Sequence, residues 1–291
     1  MSEWTLGVIG GSGLYALPGL EDVREQAVRT PWGEPSGPLV QARLHGVALV
    51  FLPRHGEGHR LSPSTINYRA NIDALKRAGV TDVLSLSACG SLKEELAPGA
   101  FVVVDQFIDR TLAREKSFFG AGCAAHVAMA DPVCRRLSAW AADAAEAAGA
   151  PHVQRGGTYL AMEGPQFSTR AESHLYRSWG CDVIGMTNMP EAKLAREAEL
   201  PYASVCMVTD YDCWRAADAD VDITDILSVM KANTERAHAT VEAVVARMAA
   251  EPRTMSPQRI ETALDHAILT APQARDGALV AKLDAVAGRV L

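Results

Sequence analysis

Asp210 and Asp212 stand two residues apart where the apolar, β-branched run of residues 202–209 gives out. Extended chain points residues i and i+2 the same way, so both carboxylates can converge on one ligand. An ionised carboxylate accepts hydrogen bonds and donates none. Such a pair calls for a ligand edge rich in donors, and for one acid that keeps a proton. The exocyclic amine and ring N7 of adenine meet that description. The same spacing also reads as a strand end solvated by two surface acids, and the pair alone leaves both readings open.

Other apolar runs end on residues of related chemistry. The first feeds Gly10-Gly11-Ser12-Gly13. Gly11, Gly13 and Ala16 match the G-x-G-x-x-A pattern of a dinucleotide site. That site needs a helix opening at the glycines and an acid about 20 residues on, whereas Pro18 and Gly19 interrupt the segment. What stays is either a tight turn or a loop offering backbone N–H groups and the Ser12 hydroxyl to an anion. Pro53-Arg54-His55-Gly56 follows a second run. Arginine reads phosphate with a planar fork, and the adjacent His55 would add a second donor. Ser87-Ala88-Cys89-Gly90-Ser91 closes a third run with small residues that let a ligand approach the backbone. Met186-Thr187 closes a fourth, with the Thr187 hydroxyl near a helix start where anions bind. Each segment has a plain counterpart, a solvated arginine or an ordinary turn. Their recurrence at the strand ends of one inferred sheet points to a pocket for phosphate and a polar heterocycle.

These ends need strands and helices to position them. Strands are expected at 5–9, 39–44, 47–52, 82–87, 100–104, 158–162, 182–186 and 202–208. They alternate with helices at 64–78, 132–148, 168–179, 190–199 and 223–250. That order predicts an α/β fold, a mostly parallel sheet covered by helices. Beyond Pro252 a further Ala-rich helical pattern packs either on this chain or on a neighbour.

With 291 residues, 48% of them hydrophobic, the chain can bury a large core. A net charge of −7 and a pI near 5.6 leave no basic block to attract nucleic acid or an anionic membrane. No apolar run approaches the ~18 residues that span a bilayer, and the first residues lack a basic leader. A soluble, cytoplasmic protein is expected. Six cysteines (Cys89, Cys123, Cys134, Cys181, Cys206 and Cys213) form no C-x-x-C pair and are expected to stay reduced. His55 and His59 have helical ligand spacing, but Gly56 and Gly58 make the segment a loop, so no metal site is expected.

Seven segments together resemble the 5′-methylthioadenosine phosphorylases, in the trimeric branch of the purine nucleoside phosphorylases. They are Ile9-Gly10-Gly11-Ser12-Gly13, Arg54-His55-Gly56, Asn67-Tyr68-Arg69-Ala70-Asn71, Ala88-Cys89-Gly90-Ser91, residues 105–111, Glu163-Gly164-Pro165-Gln166-Phe167-Ser168 and Thr209-Asp210-Tyr211-Asp212-Cys213-Trp214. The resemblance covers roughly residues 5–250. It implies one α/β nucleoside phosphorylase domain over residues 1–250, with a mixed, partly barrel-like sheet ringed by helices. Residues 251–291 would be a C-terminal helical extension.

The resemblance also implies roles. Ser12, Arg54, His55, Ser87, Ala88 and Thr187 would hold inorganic phosphate, the co-substrate. Met186 would meet the ribose hydroxyls, and Phe167 would pack on the purine opposite Ala88, Cys89 and Gly90. Asp210 and Asp212 would take the base edge, with Asp210 the acid that protonates N7 and Ser168 bordering it. Ile223, Ile226 and Leu227 would shape a slot for the 5′-methylthio group; their i, i+3, i+4 spacing reads equally as helix core. His126 would reach that slot from a neighbouring subunit of a homotrimer. No metal or organic cofactor is implied. Two other readings are a nucleoside phosphorylase of broader specificity, acting on methylthioinosine or 5′-hydroxyl nucleosides, and a nucleoside-binding sensor without catalysis.

Overall fold

The computed structural model describes residues 3–215 and 223–291, leaving aside the side chains of Ser12 and of residues 223–228. Eleven strands join one sheet. They are β1 (Thr5–Gly10), β2 (Glu21–Gln26), β3 (Leu39–Leu44), β4 (Val47–Pro53), β5 (Asp82–Ser91), β6 (Phe101–Val104), β7 (Gln106–Asp109), β8 (Val153–Arg155), β9 (Thr158–Ala161), β10 (Val183–Gly185) and β11 (Tyr202–Tyr211). The helices are α1 (Tyr68–Arg77), α2 (Arg135–Ala147), α3 (Arg170–Ser178), α4 (Asn188–Glu197), α5 (Ile223–Ala250), α6 (Gly277–Lys282) and α7 (Asp284–Ala287).

β1, β4, β5 and β11 are almost wholly buried, as parallel strands covered on both faces must be. β1 runs parallel to β4 and β5, and β5 parallel to β11. Alternate residues serve opposite layers. Ile9, Val50 and Leu52 pack with Ile72 and Leu75 of α1 and Leu194 and Ala195 of α4. Leu6, Val8, Leu49 and Phe51 pack with Leu137 and Trp140 of α2 and Val241 and Val244 of α5. The sheet is mixed: β3, β6 and β10 run antiparallel to neighbours.

β10 departs from the expected arrangement in the way that matters most. It pairs antiparallel with β5, Val183 beside Ser91 and Ile184 beside Gly90. The segment after it therefore runs back along β5 and brings Met186 and Thr187 towards Ser87. β5 is also longer than expected, continuing through the small residues to Ser91. These two features, rather than a row of parallel strand ends, gather the pocket.

The chain beyond α5 packs on its own domain. Leu264, Ala267, Leu283, Val286 and Ala287 are buried in the same cluster as Ile72 and Leu194. Arg289 grips Glu199 with two hydrogen bonds of 2.9 and 2.6 Å. Among the described residues no helix is long and apolar enough to cross a membrane.

Candidate active site

The acid pair sits where β11 bends. Its register against β5 slips between Val208 and Asp210, leaving Thr209 as the bulged residue. The freed Thr209 hydroxyl lies 2.6 Å from Asp210 Oδ1 and 3.2 Å from the Cys89 carbonyl. Asp212 lies one residue past the strand, yet its N–H still reaches the Ser91 carbonyl at 3.0 Å. The Trp214 indole donates to that same carbonyl at 2.8 Å, closing the turn.

Gly90 shows that the two acids converge. A Cβ there would stand 3.3 Å from Asp210 Oδ2, 3.5 Å from Asp212 Cβ and 3.2 Å from Ile184 Cγ2. The floor between the acids is bare backbone, and a side chain there would crowd Asp210 and Ile184 while touching Asp212. Burial raises the Asp210 carboxyl above the usual range; the Thr209 hydroxyl opposes this and the charge of Asp212 adds to it. Burial raises Asp212 as well, against nearby Ser173, Cys213 and Ser168. Neither serine reaches it in hydrogen-bonding geometry. Asp212 Oδ2 and Ser173 Oγ are both buried without a partner among the described residues. A buried acceptor left open in this way is what a donor-bearing ligand edge would satisfy.

The residues expected to hold phosphate form a second group. Arg54 is 3% exposed at the end of β4. Its Nε donates to Glu191 Oε2 at 2.9 Å and its Nη2 to Glu191 Oε1 at 3.2 Å. Nη2 also meets Ser85 Oγ at 2.6 Å, and Nη1 the Leu86 carbonyl at 3.1 Å. One Nη1 hydrogen stays without a partner among the described residues. Burial works against this guanidinium's charge, but Glu191 overrides it and holds the proton more firmly than usual.

His55 places Nδ1 2.9 Å from the Leu61 carbonyl, so that nitrogen is the donor. Burial, with some help from Arg54 and against the Leu61 carbonyl, lowers its pKa to about 4. A neutral ring so oriented presents Nε2 as an acceptor. His55 therefore offers no second donor at neutral pH; it can accept from the hydroxyl of monohydrogen phosphate. Ser87 is buried and donates to Asn188 Oδ1 at 3.2 Å, while Ala88 beside it is exposed. Thr187 is buried at the start of α4, and its hydroxyl makes no helix cap. Its N–H meets the Tyr159 hydroxyl at 3.3 Å. Gly185 makes room for that tyrosine, since a Cβ there would lie 2.1 Å from its oxygen.

Among the remaining expected residues, Cys89 is buried beneath Gly90 in β5, and Met186 is half-buried. Ser168 lies beside Met162, Oγ to Sδ 3.5 Å, and its carbonyl takes the Cys213 thiol. Phe167 is 73% exposed and stacks on no ring among the described residues. His126 is exposed, its N–H held by the Ala267 carbonyl, and no described contact links it to the acid pair. Ser12 lies in the turn after β1; its side chain and those of Ile223, Ile226 and Leu227 fall outside the described residues.

Two buried residues went unnoticed in the sequence. Glu191, at the first turn of α4, carries the Arg54 network. Arg114 donates to the carbonyls of Met186, Met189 (2.8 Å) and Glu163 (2.7 Å), fixing the backbone around Met186. Glutamate is common in a first helical turn and arginine common in loops, so neither carried a distinguishing signal.

The chain is similar to known proteins along nearly its whole length. Residues 5–246 match the phosphorylase superfamily. The chain is 62% identical to S-methyl-5′-thioadenosine phosphorylase of Cereibacter sphaeroides over 98% of both chains. It is 60% identical to that of Bradyrhizobium diazoefficiens, covering 100% of this chain and 99% of the relative. Among solved structures, a methylthioadenosine phosphorylase from an Antarctic soil metagenomic library superposes with a TM-score of 0.91 at 44% identity, over 98% of this chain and 99% of that one. A methylthioadenosine phosphorylase from Schistosoma mansoni in complex with adenine gives 0.84 at 37% identity, over 94% and 99%.

Proposed function

The chain belongs to the phosphorylase superfamily, and from that footing we propose that it splits S-methyl-5′-thioadenosine with phosphate. The products are adenine and 5-methylthioribose 1-phosphate. The observation that carries this reading is the acid pair around Gly90, Asp210 half-buried and Asp212 buried, both with raised pKa and with an Asp212 oxygen unpartnered among the described residues. It suits a purine edge that donates from its amine and accepts a proton at N7.

The C1′–N9 bond lengthens towards an oxocarbenium-like state, leaving positive charge on the sugar and negative charge on the purine. Asp210 supplies a proton to N7 as N9 takes the bonding pair, so adenine departs neutral. A phosphate oxygen then forms the new bond to C1′. The phosphate cradle contributes position and hydrogen bonds, with Arg54, Ser87, Thr187 and the neutral His55 around the anion. No metal or organic cofactor takes part in this scheme. Six free cysteines, five of them buried, suit a reducing compartment such as the cytoplasm.

As the family resemblance implies, we propose a homotrimer, in which a neighbouring copy would cover the exposed His126, Phe167 and Leu112. Adenine release from methylthioadenosine, followed by ultraviolet absorbance, should require phosphate and outpace release from adenosine. Methylthioinosine should be turned over least. Equal rates on the 6-amino and 6-oxo substrates would remove the acid pair from recognition, and a monomer in sedimentation would remove the shared pocket.

A further inference from the structure

Arg54 is the arginine of the phosphate side, yet most of its hydrogen-bonding capacity is turned inward. Both oxygens of Glu191 face it, at 2.9 and 3.2 Å, and both residues are almost fully buried. Glu191 is in turn fixed by two further groups. The Ser85 hydroxyl donates to its Oε1 at 2.7 Å while accepting from Arg54 Nη2, and the Tyr202 hydroxyl donates to the same oxygen at 2.8 Å. These partners come from α4, β4, β5 and β11, so the pair is locked from four directions.

We propose that Glu191 is a positioning residue that cancels the charge of Arg54, so that phosphate meets a nearly neutral cradle and is held by hydrogen bonds. This rests on the phosphorolysis reading above and deepens it on the phosphate side. An uncompensated guanidinium at this depth would act on a dianion through low-dielectric protein, where like and unlike charges count for far more than in water. It would hold the anion, and the sugar phosphate formed from it, tightly. With Glu191 in place the anion finds one guanidinium N–H, the Thr187 hydroxyl, backbone N–H groups at the turn after β1 and the His55 acceptor. Phosphate is then bound loosely enough to serve as a nucleophile and leave as part of the product. Catalysis gains only from contacts that strengthen in the transition state, and a rigid, neutral cradle avoids over-stabilising the bound anion.

Two variants test this. Glu191→Gln keeps the shape and removes the counter-charge. Phosphate binding, measured by titration calorimetry without nucleoside, should tighten about tenfold, with a matching fall in the phosphate KM. The KM for methylthioadenosine should stay put. Arg54→Gln with Glu191→Gln leaves no lone buried charge and so protects folding. The double variant also loses the guanidinium N–H, so phosphate binding should weaken by about tenfold, the worth of one hydrogen bond, and by no more if the pair presents no net charge. Phosphate binding that is unchanged or weaker in Glu191→Gln overturns the proposal. So does a loss of about a hundredfold in the double variant, which would show Arg54 acting as a full positive charge. Because calorimetry uses phosphate alone, a wrong choice of nucleoside would leave this result readable.

Discussion

The proposed purine and phosphate sides of the pocket are both built from largely shielded polar groups, but they are finished differently. Around Gly90, acids of raised pKa leave an oxygen of Asp212 and the hydroxyl of Ser173 unpartnered among the described residues. Around Arg54, the Glu191 carboxylate accepts from three residues and, among the described residues, the guanidinium keeps one N–H to spare. The difference teaches where selectivity and where labile binding reside. Open valences cost free energy until a ligand of the right donor pattern closes them, so they discriminate between bases. A network closed on itself offers geometry without strong attraction.

The largest effect should follow from Asp210→Asn. The variant loses the proton donor for N7 and swaps an acceptor for an NH₂ group. Activity on methylthioadenosine should fall by about 10³, in the range typical for removing a positioned general acid. Activity on methylthioinosine should rise relative to it, since the new donor suits a 6-oxo group. Full activity on the parent substrate, with no gain on methylthioinosine, would sink the role. The pH profile adds a sign: the raised pKa keeps the acid protonated further up the pH scale. Parent activity should therefore be lost as pH rises through that pKa.

How much of this contrast could be read beforehand depended on the distance over which each signal acts. Asp210, Asp212, Arg54, Ser87 and Gly90 lie in short segments of recognisable type, so local chemistry pointed to them. The direction of β10 did not show, because three buried residues look alike in parallel and antiparallel pairing. β2 escaped notice because all six residues of Glu21–Gln26 are exposed and show no alternation. α1 begins at Tyr68, later than periodicity suggested, because the Asn67 side chain caps it by accepting from the Ala70 N–H. The Arg54–Glu191 pair joins residues 137 positions apart, and no local pattern encodes such a partnership.

A third buried carboxylate sharpens what the acid pair means. Glu197 is pushed up to about 7 by burial, although the Phe118 N–H and Ser117 hydroxyl both donate to it at 2.7 Å. It belongs to neither half of the pocket, so a raised pKa by itself does not mark a site. Here the consequence is for stability. A folded-state pKa above the unfolded value means the group stabilises the fold when protonated, and that contribution is lost as pH climbs through about 7. The shift corresponds to something on the order of 3 kcal/mol between acidic and mildly alkaline solution. Denaturant unfolding from pH 5 to 8 should show this slope in the parent and a flatter line in Glu197→Gln. Parallel lines would mean that Glu197 titrates as an ordinary exposed acid.

The smallest effect comes from the floor between the acids. Gly90→Ala adds one methyl group, 3.3 Å from Asp210 Oδ2 and 3.2 Å from Ile184 Cγ2. Those distances are tight enough to shift the carboxylate by a few tenths of an ångström and too long to unfold a strand held on both sides. Misplacing a catalytic group by such an amount lowers kcat/KM by about tenfold. The loss should fall on methylthioadenosine, leaving the phosphate KM where it was, because Arg54 and Glu191 do not touch this floor. If the phosphate KM moved in step, the two sides would be mechanically one, and the contrast between an open purine side and a closed phosphate side would fail.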